Sequence, residues 1–285
     1  MHKTEVIEIK KDDSIFPRRL LEIQNCPKKL YCRGNLGLLN EKCLVSIVGS
    51  RKASSYGLRC TRKIARQIAE RGVVIVSGLA LGIDAEAHRG ALEAAGKTIA
   101  VLGTAIDCLY PRTNEQLALS ILDNDGLIIS EYPVGAPYNN YNFPLRNRII
   151  AGLSQITIVT EAAEKSGSLI TACLAGEYNR EVFAVPADID KITNSGANQL
   201  IKQGASVLTS TDDILNIFGL LLEEREVDLD PDELKVLAAI SAGDGEFDKI
   251  LKMLSVSSQQ LNVILMKLEL KNVIASSVDG SFYKI

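Results

Sequence analysis

From residue 44 to residue 210 one pattern of apolar and polar positions recurs: a short β-branched run, a loop of Gly and Ser, then a segment with apolar residues at 3.6-residue spacing. The runs are 44–48, 73–76, 98–102, 127–130, 156–159 and 182–185, with Val207-Leu208 a candidate seventh. Runs this continuously apolar argue strands covered on both faces, and their alternation with helical segments argues a parallel sheet. Helices are expected at Leu58 to Glu70 and Ala85 to Ala95, closed by Gly72 and Gly96, and at Leu169 to Tyr178. The expected fold class is α/β, an extended Rossmann-like parallel sheet domain over residues 44–221.

Residues 1–43 read as an N-terminal helical extension. After an expected helix from Thr211 to Leu222, residues 222–232 form a strongly acidic stretch that reads as a linker. Residues 233–285 then change pattern. Leu234, Val236, Leu237 and Ile240 mark one helix, Ile250 to Leu254 a second and Leu261 to Leu270 a third. A hairpin follows, with Asp279-Gly280 at its turn. Three helices and a hairpin predict a small C-terminal winged-helix domain.

At 285 residues the chain has room for about two domains of ~150 residues. With 46% hydrophobic and 24% charged residues it is a globular composition, which excludes a disordered polymer. The net charge of −3 excludes a generally basic nucleic-acid coat, so any anion site must be local. The most apolar stretch, Val73 to Ile83, contains Ser77, Gly78 and Gly82 and is well short of the ~20 residues of a membrane span. The charged N-terminal residues do not fit a signal peptide, and a cytoplasmic protein is expected. The six cysteines contain no C-x-x-C pair, so neither a zinc site nor a redox dithiol is signalled; no metal and no cofactor is expected.

In a sheet of this kind ligands bind beyond the carboxyl ends of the strands. The first such loop is Gly49-Ser50-Arg51-Lys52-Ala53-Ser54-Ser55-Tyr56-Gly57. Its glycines, serines and following helix N-terminus suit phosphate oxygens, and Arg51 adds a guanidinium fork; the same serines also serve as ordinary helix caps. G-x-G-x-x-G is absent, which argues against a dehydrogenase. A relaxed Walker-like string at 91–98 ends a helix rather than opening one, so it is rejected as a nucleotide site.

The second loop runs from Ser77-Gly78 to Asp84, with His88 one turn later. Asp84 and His88 share a helical face and are expected to brace the loop as a pair rather than act in catalysis. The string Tyr141-Asn142-Phe143-Pro144-Leu145-Arg146-Asn147-Arg148 combines two guanidiniums, amides and rings. Such a set grips a phosphate backbone and stacks an unpaired base; alternatively either arginine pairs with a carboxylate such as Glu161 or Glu131. Ser166-Gly167-Ser168, after the fifth run, is a further anion-binding or capping loop.

These strings, together with Ala100-Val101-Leu102-Gly103, Tyr110-Pro111, Ser130-Glu131-Tyr132-Pro133 and Gly196-Ala197-Asn198-Gln199-Leu200-Ile201, resemble the DNA-processing protein A family (DprA, also called Smf), in order over roughly residues 14–215. The resemblance implies an extended Rossmann domain that binds single-stranded DNA, forms a homodimer and loads the RecA recombinase during natural transformation, without catalysis. Carried over by position, it implies a strand-binding pocket of Ser50, Arg51, Gly78, Phe143, Arg146, Asn147, Arg148, Ser166, Gly167 and Ser168. A basic residue or His often stands just before the Phe of that pattern; here the run is Asn139-Asn140-Tyr141-Asn142.

The C-terminal module resembles the winged helix of many family members. Residues 222–285 carry a net charge of −5 against +2 for residues 1–221, which points to docking of protein rather than duplex DNA. Two rival readings remain. One is a nucleoside-monophosphate hydrolase of the lysine-decarboxylase-like type, whose P-G-G-x-G-T-x-x-E string is here replaced by Lys165-Ser166-Gly167-Ser168-Leu169-Ile170-Thr171. The other is a scaffold whose winged helix is the working part.

Overall fold

The computed structural model describes residues 5–221, 229–241, 245–254, 256–271, 273–277 and 280–284. The chain divides into two units, Met1–Leu221 and Leu222–Ile285. The first is built on a nine-stranded sheet of β1 (Ile7–Lys10), β2 (Lys29–Gly34), β3 (Leu44–Val48), β4 (Val74–Ser77), β5 (Thr98–Ala105), β6 (Leu127–Tyr132), β7 (Ile156–Val159), β8 (Glu181–Ala184) and β9 (Ser206–Val207). The spatial order is β1-β2-β6-β5-β4-β3-β7-β8-β9, and every pairing from β6 across to β9 is parallel.

The apolar runs become parallel strands because helices cover both faces. Those helices are α1 (Arg18–Leu21), α2 (Ser55–Ala69), α3 (Ile83–Glu93), α4 (Glu115–Asp123), α5 (Asn142–Leu153), α6 (Ser168–Glu177), α7 (Ser195–Lys202) and α8 (Asp212–Ile217). Leu44 and Val48 of β3 share one core with Ile149, Ile150 and Leu153 of α5. Val45 and Ile47, the alternate positions, share the opposite core with Ile64 and Ile68 of α2 and Ile83 of α3. Gly90 lets α3 approach α2 closely: a Cβ there would come within 2.5 Å of the Arg62 carbonyl oxygen.

The N-terminal segment departs from the expected helical extension. It supplies two strands, β2 antiparallel to β6 and β1 antiparallel to β2. Leu30 and Cys32 alternate inward along β2, a period-two signal too short to stand out, and the pairing covers an edge that β6 would otherwise expose. The helices α4 and α7 follow the third and sixth apolar runs, where the recurring pattern calls for helical segments but assigns them no bounds. The expected Thr211 to Leu222 helix is the shorter α8, and Gly219, at φ +66°, lies just beyond it.

In the second unit, α9 (Pro231–Ser241), α10 (Phe247–Leu254) and α11 (Ser258–Leu270) precede an antiparallel pair, β10 (Ile274–Ser276) and β11 (Phe282–Lys284). Val236, Ile240, Ile250, Leu261, Leu265 and Leu268 form its core. Asp230 and Glu233 cap α9 reciprocally: Glu233 N–H donates to Asp230 Oδ1, and Asp230 N–H donates to Glu233 Oε2. Most of the acidic stretch 222–232, and Asp279 of the expected turn, lie outside the described residues.

Candidate nucleic-acid interface

β4 lies on one side of β3 and β7 on the other, so the chain leaves the carboxyl ends of these neighbours in opposite directions and a crevice opens between them. An open groove of about 660 Å³ occupies it. The β3–α2 loop forms one wall, the β7–α6 loop another, and the start of α5 the third. Among the described residues lining it, the cations Arg51, Lys52, Arg146 and Lys165 face the single carboxylate of Asp84. In this lining cations outnumber carboxylates, although the chain as a whole is slightly acidic.

The β3–α2 loop is held by Glu161 at the end of β7. The buried Glu161 carboxylate accepts from Ser54 N–H at 2.9 Å and from Ser54 Oγ–H at 2.5 Å, and the Glu161 carbonyl accepts from Ser50 N–H at 2.7 Å. Ser54 is the N-cap of α2, its hydroxyl accepting from Gly57 N–H. Part of the amide chemistry expected for phosphate at this helix start is therefore met by the protein's own carboxylate. Ser50, Arg51 and Lys52 of the loop still line the groove. Of these, Arg51 meets the Phe143 ring. It is exposed, its guanidinium rests over the Phe143 ring 5.8 Å from the centroid, and no protein carboxylate pairs with it among the described residues.

α5 brings its residues to the groove unequally. Phe143 and Asn147 line it, and Asn147 Nδ2–H donates to the Gly167 carbonyl at 3.3 Å, tying α5 to the β7–α6 loop. Arg146 lies in the groove floor, 4% exposed. It donates to the Val101 carbonyl, while Nε has no protein partner among the described residues. Burial lowers its pKa to about 10, partly offset by Asp84, so it stays cationic at neutral pH. Gly78 is absent from the lining; its role is to leave room, since any Cβ there would overlap the Arg146 guanidinium.

Arg148 points elsewhere. Its Nη2 reaches both Glu131 oxygens at 2.6 and 2.7 Å, Nε–H donates to the Asn25 carbonyl and Nη1–H to the Leu145 carbonyl. It is not brought to the groove with the other candidates.

The Asp84–His88 brace also resolves differently. Asp84 Oδ2 accepts from Gly78 N–H and Ala80 N–H, which holds the β4–α3 loop, whereas His88 Nδ1 meets Thr98 Oγ1 at 2.7 Å inside the core. Each finds its own partner, because the buried loop amides need an acceptor close to α3's first turn. Burial raises the Asp84 pKa, with Arg146 and the two amides opposing the rise; burial, with Arg146 and Arg89, lowers His88 to about 3.

Ser166, Gly167 and Ser168 line the groove at the N-terminus of α6, the two serine hydroxyls 2.8 Å apart. The sequence reading does not single out Lys52 and Lys165, although each adjoins a chosen residue. Tyr110 enters it only within the Tyr110-Pro111 string of the resemblance, with no role assigned, and Tyr138 does not enter it. These pack against Phe143 at centroid distances of 5.7 and 5.9 Å, and arrive from separate connections.

The model of the DNA recombination-mediator protein A family matches residues 8–219. The chain belongs to this family. It is 37% identical to a Synechocystis protein named Smf over 93% of this chain and 76% of that protein, and 45% identical to the DNA processing protein DprA of Streptococcus pneumoniae over 72% of each. Among solved structures, DNA processing protein A from S. pneumoniae superposes with a TM-score of 0.69 at 42% identity, over 74% of each chain. The same protein from Helicobacter pylori, whose structure describes a single-stranded DNA binding mode, superposes with a TM-score of 0.68 at 32% identity, over 76% of this chain and 96% of that one. The family model falls within the first unit, which carries the groove, and the similarity to the Synechocystis protein extends into the second.

Proposed function

We propose that the groove binds the backbone of single-stranded DNA and that the chain acts as a DNA-processing recombination mediator, without catalysis. The observation that carries this reading is the convergence of Arg51, Phe143, Arg146 and the Ser166–Ser168 loop on one crevice of positive local charge. A guanidinium lying against a ring suits a phosphate next to an unpaired base. The H. pylori relative supports the same ligand class.

In this reading Arg51, Lys52 and Lys165 contact phosphates, Ser50 and the Ser166–Ser168 loop add neutral donors, and Arg146 supplies fixed charge from the floor. Gly78 and Asn147 shape the groove, and Arg148 holds α5 in place. The chain works in the cytoplasm as a homodimer, delivers strands to RecA, and carries a winged helix in its second unit that docks protein.

The test is a titration of wild type and Arg51→Ala with single-stranded and duplex DNA of equal length at two salt concentrations. Wild type is expected to prefer the single strand and Arg51→Ala to lose most of that preference. Equal affinity for both DNA forms, unaffected by the substitution, would overturn the proposal.

A further inference from the structure

Beyond the groove's edge, Tyr110 and Tyr138 stand with their rings 5.4 Å apart and inclined at 60°, each also packed on Phe143. They come from the β5–α4 and β6–α5 connections and are 43% and 50% exposed, which leaves ring surface open to solvent. In tilted contacts of this kind one ring meets another by its edge, so the faces are not consumed as they are in a parallel stack. Tyr138 O–H donates to Asn140 Oδ1 at 2.8 Å, which steadies the ring. Phe143 is the shared element: it lines the groove, carries the Arg51 guanidinium over its ring and joins both tyrosines.

We propose that Tyr110 and Tyr138 form a base-stacking platform that extends the strand path past Phe143. This rests on the groove reading and adds to it the place where bases, rather than phosphates, are held. A platform of rings accepts any base, because every base presents a π-face. The strand lies with its backbone along Arg51 and Lys165 and its bases turned toward the tyrosines.

The experiment uses the full chain and two probes of equal length: an oligo-dT strand, and the same strand with a block of abasic sites. Wild type is compared with the double variant Tyr110→Leu/Tyr138→Leu, which keeps apolar bulk, with Tyr138→Phe, and with Arg51→Ala. The double variant is expected to lose about tenfold or more in affinity for oligo-dT, with little change on the abasic strand. Its dependence on salt stays as in wild type, and Tyr138→Phe binds as wild type does. Arg51→Ala weakens both probes and flattens the salt dependence by about 0.7 in log–log slope.

A double variant that binds oligo-dT as well as wild type, or that loses equally on both probes, overturns the platform. If Arg51→Ala is silent while the double variant loses oligo-dT alone, the platform stands and the groove reading falls. The thermal midpoint of the double variant shows whether it remains folded. If it does not, Tyr138→Leu alone, at the more exposed ring, repeats the comparison, with the same two results deciding.

Discussion

The β3–α2 loop and the first turns of α5 both bring arginine to the same end of the sheet, and the fold uses them in opposite ways. Arg51 is exposed, with only a ring beside it. Arg146 is sunk in the floor against a backbone carbonyl, and Arg148 is clasped by Glu131 and two carbonyls. The difference teaches that a cation's availability is decided by the acceptors that tertiary structure places around it, not by the motif in which it stands.

The strongest way to break this comparison is Arg148→Ala. The Arg148 and Glu131 side chains are only 14% and 24% exposed, and the substitution strands a half-buried carboxylate. A loss of about 3 kcal/mol is expected by analogy with broken buried pairs. In a unit of this size that is a fall of roughly 10 °C in the thermal midpoint, with strand affinity of the folded protein unchanged. A stable variant that no longer binds would move Arg148 into the site.

Arg146→Met is expected to cost about 2 kcal/mol at neutral pH, by leaving the Asp84 carboxylate buried without its cation. The pH dependence fixes the cause. Asp84 has a folded pKa raised above its ordinary value, so its ionisation weakens the fold as pH rises through the range between the two. Removing Arg146 raises it further, so the deficit of the variant shrinks as pH falls and Asp84 takes up a proton. Denaturant midpoints of both proteins across the acid range check this, and a deficit that does not change with pH would assign the loss to packing.

Arg51→Ala sharpens the other side. Roughly tenfold weaker strand binding is expected, about 1.4 kcal/mol, with stability unchanged within about 0.5 kcal/mol as for other exposed positions. Binding isotherms and thermal melts on the same preparations separate the two.

The smallest effect concerns His88, whose pKa Arg146 helps to depress to about 3. The stability that comes from holding it neutral is complete above the ordinary histidine range and is lost as pH falls toward about 3. Between pH 7 and 5.5 this amounts to about 1 kcal/mol, and His88→Gln is expected to remove that part of the slope. A variant with the wild-type slope would show that another group titrates there.

Much of the sheet was legible in the chain because a strand buried on both faces must be apolar at nearly every position, as Leu44–Val48 and Ile156–Val159 are. β1 was not: Glu8 and Lys10 are exposed, and only Ile9 turns inward. The groove was legible as loops, since Gly, Ser and Arg after a strand have few other uses. The pairing of Arg148 with Glu131 was one of the alternatives the sequence left open, and the structure takes it. The burial of Arg146 against Val101 and the Asn25 carbonyl on Arg148 were not legible, because those acceptors are brought from 45 and 123 residues away. The meeting of Tyr110 with Tyr138 was invisible for the same reason, since it forms only after the β5 and β6 connections have folded.

The glycines behind the groove carry a last consequence. Cβ atoms at Gly49 and Gly82 would collide with the Glu161 and Ser50 carbonyls respectively, so the three loops touch one another backbone to backbone, and one at Gly57 would collide with the Glu161 carboxylate that holds the β3–α2 loop. Such a rim cannot yield by shifting one loop alone. In the proposed function such a rim is a preorganised receptor, and the entropy lost on association falls on the flexible polynucleotide rather than on the protein.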